Sequence, residues 1–516
     1  MTVQNEINAL IGKKSKKFIY MDHAATTPMD PRVKKAMEPY FVENFGNPGS
    51  FYEVGLKAKM AVTKARENTA KYIKALPEEI IFTGSGTESD NMAIFGVARA
   101  KGSGHIITST IEHHAVEMPC EQLEKDGFKV TYLDVDKYGI VDAKDLKNNL
   151  QKDTILVSIM MANNEIGTIQ PIKEIGKIIK DFNKKTGANV LFHTDACQAG
   201  GSMPIDVKKL GVDLLTLNGS KIYGPKGVGV LYKRKGVKIK PIMYGGFQEA
   251  GLRPGTENVP NIVGFAKAFE LVQNGMEKEN KRLCALRDRM INGIEKSIKK
   301  VRLNGHSKNR LPNNVNFTFM DIEGEAFTLF LNELGVYAST GSACTSERLD
   351  PSHVIVATGV PYECAHGSVR FTLGHSSTKE DVDYVVKMVA KIVDILRKIS
   401  PLNLDEKTLK SNLQLGHSKC YKMEATGCIQ TLLKSTFFIH KICSKKLQKK
   451  VSSMALARLE ALLAETLGEF GLKGVLTAKK SKNANGRHLV VLLRLQPLLG
   501  GAGLLRKKAG GRLRRP

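Results

Sequence analysis

Lys221 and Asp195 are separated by 26 residues, and each sits just past an apolar run, in LNGSKIYGPKG (Leu217–Gly227) and HTDACQ (His193–Gln198). A lysine held partly out of water loses its proton more readily and can condense with a carbonyl as a Schiff base. A carboxylate such as Asp195 can pair with a protonated pyridine nitrogen and keep that ring electron-poor. FTGSGTESDN (Phe82–Asn91) has the form of a strand, a Gly-rich turn and a helix start. Small residues there let backbone N–H groups approach a phosphate at a helix N-terminus. His113, in EHHA, could stack on a flat ring and move protons near neutral pH. Cys344 lies among small and polar residues in STGSACTSERLDPSH (Ser339–His353), the composition of an exposed loop. An accessible thiolate attacks sulfur well. Arg370, in GSVRFTLG, offers a planar fork for a carboxylate.

Each of these residues has a plainer reading when taken singly. Asp195 could cap a helix, and Thr87 could cap an ordinary strand–helix turn. His113 could be structural, Lys221 could be solvated, and Arg370 could form a surface salt bridge. Cys197 is expected to pack beside the sheet. What favours chemistry is their common location. From residue 80 to 235, seven short apolar runs alternate with helical stretches: Ile80–Thr83, His105–Thr108, Val130–Leu133, Ile155–Ser158, Val190–His193, Leu214–Leu217 and Val228–Leu231. This pattern predicts an α/β domain with a mainly parallel sheet whose strands are buried on both faces. Ligands collect beyond the carboxyl ends of such strands. Gly84–Asn91, Ser109–His114, Asn163–Asn164, Asp195–Gln198 and Asn218–Lys221 all fall there.

A charged amphipathic helix is expected from about residue 270 to 300, with Leu283, Leu286, Met290, Ile294 and Ile298 on one face. It opens a smaller α+β domain. The expected division is 1–270 for the N-terminal segment and large domain, 271–404 for the small domain with the Cys344 loop, and 405–516 for a basic tail. The chain carries a net charge of +27, and the tail holds 23 Lys and Arg against 6 Asp and Glu. The basicity therefore says little about the rest of the chain. Such a tail could bind nucleic acid or an acidic partner. It lacks the aromatic interleaving of a single-strand binder. A disordered or partly helical appendage, or a mis-joined reading frame near Met454, is the plainer account. The sequence SSMALARLEALLAETLGEF within it has helical spacing. Eight scattered cysteines without a C-x-x-C pair argue against a zinc site or a disulfide framework. They fit reduced thiols in the cytoplasm. No signal peptide or convincing membrane span is expected.

Together, MDHAATTP, FGNPGS, FTGSGTESDN, EHHAV, NNEIGTIQPI, HTDACQ, SKIYGPKG, RPGTEN, GSACTS and VRFTLG resemble, in order, the NifS/IscS-type cysteine desulfurases of the class V branch of fold-type I pyridoxal 5'-phosphate (PLP) enzymes. The resemblance spans about residues 18–402. It implies conversion of L-cysteine to L-alanine, with the sulfur kept as a persulfide on Cys344. Lys221 would carry PLP, Asp195 would face the pyridine nitrogen, and His113 would stack on the ring. Gln198 and Asn164 would face the phenolic oxygen. Gly86, Thr87, Asn218 and Ser220 would surround the phosphate. Thr256 would reach the phosphate site of a neighbouring subunit in a homodimer. Arg370, helped by Asn164, would bind the substrate carboxylate. No metal is implied. The sulfur acceptor would be an iron-sulfur scaffold or a tRNA-thiolation protein. The family commonly has Ser and His where this chain has Asn218 and Ser220. Both replacements hydrogen-bond, but Ser220 cannot carry charge. A selenocysteine lyase, a class V aminotransferase and an RNA-binding protein that uses the tail are the competing functions.

Overall fold

The structure is a computed structural model and describes residues 3–11, 17–341, 351–400, 403–404, 472–483 and 486–497. All seven expected runs fall on strands of one sheet, with ends shifted by a residue or two. The order across the sheet is Ile80–Thr83, Gly229–Lys233, Leu214–Asn218, Leu191–Asp195, Thr154–Ser158, His105–Ser109, Lys129–Leu133. The last five of these pair in parallel. Gly229–Lys233 is antiparallel to both of its neighbours. Since it alone is reversed, Ile80–Thr83 points the same way as the parallel strands. Its carboxyl end opens on the same edge as theirs.

Alternate residues of these strands face two separate cores. Phe82, Ile107, Val157, Phe192, Leu215 and Val230 join one. Ile81, Ile106, Leu156, Leu191, Leu214 and Leu231 join the other. Burial on both faces explains why the runs read as continuously apolar. The edge strand Lys129–Leu133 is only half covered. Helices Gly86–Lys101 and His114–Lys125 cover one face of the sheet. Glu53–Ile73 and Ile172–Thr186 cover the other.

The charged helix expected from about residue 270 is longer than its amphipathic pattern suggested. It runs from Val259 to Ser297, 39 residues, with the Asn258 side chain accepting from the Asn261 N–H. Pro254, Gly255 and Pro260 read as helix breakers, but a proline in the first turn suits a helix start. Val259, Ile262, Phe265 and Phe269 pack in the sheet core. Leu283, Leu286, Met290, Ile294 and Ile298 pack, as expected, in another core. That second body contains an antiparallel sheet with Asn314–Phe319 between Ser368–Thr372 and Val301–Leu303. Helices Gly324–Glu333 and Lys379–Ile399 cover it. The expected division at residue 270 falls inside the long helix. Ile7, Ile19 and Met21 bury in the second core.

In the tail, Leu472–Asn483 pairs antiparallel with Gly486–Pro497. A disordered or partly helical tail was expected. Valines at 475, 490 and 491 suit these two strands. The helical pattern at residues 452–470 lies outside the described residues. Among the described residues, no helix is long and apolar enough to cross a membrane.

Phe192 is fully buried at the centre of the large sheet. Phe192→Ala is expected to lower stability by about 3–5 kcal/mol through the cavity it leaves, measured by denaturant unfolding followed by circular dichroism.

Candidate active site

The edge shared by the strand ends holds a cavity lined by Gly86, Thr87, Asp90, His113, Met160, Ala162, Asn164, Asp195, Cys197, Gln198 and Asn218. The turn after Ile80–Thr83 builds one end of it. Ser85, not Thr87, caps helix Gly86–Lys101, its Oγ accepting from the Glu88 N–H at 3.1 Å. Ser85 leads Thr87 by two positions and so takes the cap, while Thr87 lines the cavity. A Cβ at Gly86 would lie 2.7 Å from Cys197 Sγ and 3.3 Å from Asn218 Nδ2. Only glycine fits here. The helix N-terminus, Thr87 and the Asn218 amide therefore meet at one point, a seat for an anion. Asn218 Oδ1 accepts from both the N–H and the Oγ of Ser220, at 3.1 Å each, which leaves the Nδ2 end for the turn. Ser220 thus supports Asn218.

Asp195 ends its strand, and its Oδ1 accepts from the Cys197 N–H at 2.8 Å. Cys197 lines the cavity rather than packing beside the sheet, because Gly86 leaves room for its sulfur. Burial raises its thiol pKa far above the ordinary range. It is therefore no thiolate. Lys221 ends a 3-10 turn and donates to the carbonyls of Ala24 at 2.8 Å and Ala25 at 2.6 Å. Gln198 Nε2 donates to the same Ala24 oxygen at 3.0 Å. The MDHAATTP segment thereby brings Lys221 and Gln198 to one atom.

His113 does two jobs. It lines the cavity, and it caps helix His114–Lys125, its Nδ1 accepting from the Ala115 N–H at 3.1 Å. In the neutral ring the proton then sits on Nε2. Burial lowers its pKa, so the ring is neutral near pH 7. Arg370 is no surface ion pair, since it is 1% exposed. It donates to Asn164 O at 2.9 Å and to Asp22 Oδ1 at 2.8 Å. Its Nε and the Oδ1 of Asn164 are buried without a protein partner. Thr256 is exposed, and like Ser220, Lys221 and Arg370 it is not among the residues that line the cavity.

Cys344 lies outside the described residues, as do residues 342–350 around it. The residues on either side are anchored to Arg370 and Glu165, which adjoin the lining residue Asn164. Ser339 exchanges backbone hydrogen bonds with Arg370. Ser352 Oγ donates to Glu165 Oε2 at 2.5 Å, and a Cβ at Gly341 would lie 3.2 Å from that same oxygen.

Two buried residues, Asp90 in the cavity wall and His193 beside it, went unnoticed in the sequence. Asp90 and His193 are fully buried, 3.6 Å apart. Burial, and then the charge of Asp195, raise the Asp90 pKa well above the carboxylate range. His193 holds Ser158 Oγ at 2.8 Å and Thr216 Oγ1 at 3.1 Å. Burial pulls its pKa down to about 4. The only sequence signals were their places in ESDN and HTDACQ, where neighbouring residues drew the attention.

An anion seat, a strand-end carboxylate and a buried imidazole line one cavity at the strand ends, and the Lys221 amine shares the Ala24 carbonyl with the lining residue Gln198, the arrangement of an α/β enzyme. The family model for aminotransferase class-V matches residues 19–385. Cysteine desulfurase IscS of Methanosarcina thermophila is 56% identical over 393 residues, covering 76% of this chain and 95% of that one. Its counterpart from Dictyoglomus turgidum is 54% identical over 400 residues, covering 77% and 100%. A solved NifS-like protein superposes with a TM-score of 0.69 at 38% identity, covering 73% of this chain and all of the other. The chain belongs to the class-V aminotransferase family, among its PLP-dependent cysteine desulfurases of the IscS/NifS type. The cavity fits PLP. Gly86 leaves the turn open for the phosphate, and Asn164, which lines the cavity, has its Oδ1 buried with no protein donor.

His193 is neutral when folded down to about pH 4, whereas in the unfolded chain it takes up a proton near 6.5. Its contribution to stability is therefore present above pH 6.5 and is lost as pH falls toward 4. His193→Gln is expected to flatten that decline by up to about 1.4 kcal/mol per pH unit, measured by unfolding between pH 7 and 4.

Proposed function

We propose that Cys344 is the residue that takes the sulfur of L-cysteine as a persulfide, with Lys221 carrying PLP and moving the substrate Cα proton. Bound PLP supplies an aldehyde for the substrate amine and a sink for the electrons released at Cα. In this reading, Gly86, Thr87 and Asn218 hold the phosphate, with Ser220 fixing Asn218. Asp195 would keep the pyridine nitrogen protonated, His113 would stack on the ring, and Gln198 and Asn164 would face its phenolic oxygen. Arg370, with Asn164, takes the substrate carboxylate. Its Nε has no protein acceptor, and its contact with Asn164 O ties it to the cavity wall. The Cys344 thiolate attacks the substrate sulfur. The S–S bond forms as the C–S bond breaks, and its electron pair stays with carbon, which is protonated to give alanine.

The observation that carries this reading is the meeting of Lys221 Nζ and Gln198 Nε2 at the Ala24 carbonyl, beside Asp195 and the Gly86 turn. The loop is suited to its part. A Cβ at Gly341 would lie 3.8 Å from Ser352 Cβ, so the loop leaves and returns at one place beside Arg370. A segment of that length can reach no more than about 15 Å out and back.

Two copies of the chain would complete the unit, with Thr256 of each facing the phosphate seat of the other. Support comes from apolar side chains left in water, Phe51 at 91% and Phe247 at 95% exposed. Residues 1–270 would then carry the cofactor, and 271–404 the thiol loop. Cys120, Cys197, Cys284 and Cys364 are free thiols, consistent with a cytoplasmic enzyme. The persulfide would pass to an iron-sulfur scaffold or a tRNA-thiolation protein.

The test is a pair of variants. Cys344→Ser is expected to keep the absorbance of bound PLP while losing persulfide formation. Lys221→Ala is expected to lose the lysine-bound absorbance band with the far-ultraviolet dichroism unchanged. Transferable sulfur and alanine formed from cysteine by Cys344→Ser would overturn the assignment of the nucleophile.

A further inference from the structure

Three metal-ligating side chains meet outside the cavity, and the desulfuration chemistry does not use them. His114 and Glu117 lie one turn apart on helix His114–Lys125, and His353 opens helix His353–Ala357. One ring nitrogen from each histidine and one carboxylate oxygen all lie within 4.8 Å of one another. His114 Nδ1 stands 2.6 Å from Glu117 Oε2, and His353 Nε2 stands 3.8 Å from the same oxygen. Ligand atoms around a tetrahedral zinc ion are separated by about 3.3 Å, so these distances bracket what an ion needs. The two imidazoles are tilted by 44° at 5.0 Å between centroids. Their edges can therefore converge on one point.

Charge and access agree with this. The three side chains are 19–24% exposed, covered enough to be positioned and open enough for an ion to enter. Glu121 and Glu124 follow Glu117 on the same helix, making this a local acidic patch in a basic chain. Two imidazoles and one carboxylate form the three-ligand set of zinc sites that keep a fourth position open. Mg2+ and Ca2+ prefer all-oxygen shells.

We propose that His114, Glu117 and His353 bind a divalent transition-metal ion of the zinc class. The ion would tie the helix capped by His113 to the first residue after the thiol loop's return anchor, Ser352. His353 Nε2 now bonds the Glu112 carbonyl at 3.0 Å and would exchange that bond for the metal. The site stands apart from the assignment of Cys344 and does not rest on it.

The test uses the full-length holoenzyme, stripped by chelator dialysis and titrated with Co2+, whose visible bands report coordination, and with Zn2+ by equilibrium dialysis. One ion per chain is expected. Affinity should fall at least about tenfold in both Glu117→Gln and His353→Gln, since loss of even an outer-shell partner costs that much. Cys344→Ser should bind as the wild type does. Absence of binding in the wild type, equal affinity in both ligand variants, or binding lost with Cys344 would each overturn the site. Metal-free melting curves establish that the variants fold. Should His353→Gln fail to fold, Glu117→Gln decides alone.

Discussion

The structure depends on keeping the charge of Arg370 satisfied in a place without water. A guanidinium 1% exposed is tolerable only with a partner, and Asp22 supplies one. That pairing fixes the path of the segment after it. His23 and Ala24 hydrogen-bond Thr372 on the Arg370 strand, while Thr27 bonds Ser220 O. Between these two points, the Ala24 and Ala25 carbonyls are turned toward Lys221. Six residues therefore stitch the strand carrying Arg370 to the turn carrying the lysine. The geometry of the cavity follows from that seam.

The large sheet was legible in the sequence because its strands are covered on both faces, which leaves short, uninterrupted apolar runs. The shared edge was legible as well. Gly86, Thr87, His113, Asn164, Asp195, Gln198 and Asn218 line one cavity although more than a hundred residues separate the first from the last. What stayed hidden was set by partners distant in the chain. Nothing local marks Ala24 and Ala25 as acceptors, since their part is played by backbone carbonyls. The polar setting of Asp90 and His193 gave no hint of full burial. Ser85 displaced Thr87 as helix cap through a difference of two positions that the motif does not mark. The first half of helix Val259–Ser297 was masked by prolines that act as start signals. The paired strands Leu472–Asn483 and Gly486–Pro497 carry basic residues that read as a solvated tail.

Lys221 is held by two carbonyls that accept from its amine. Ser339 is anchored at Arg370 and Ser352 at Glu165. Glu165 is itself tied in by Asn314 and Asn316, which donate to its carbonyl at 3.0 Å each. Ser339 and Ser352 are thus both tied, directly or through Glu165, to strands of the small sheet.

Helix Val259–Ser297 passes through both hydrophobic cores without a break, a rod of about 58 Å. A shared rod leaves no flexible linker at which the two bodies could swing apart. Relative movement must come from bending the helix or from sliding of side chains along it, which confines it to small amplitudes. Melting either body frays the scaffold of the other. The two bodies should consequently unfold as one cooperative unit despite having separate interiors.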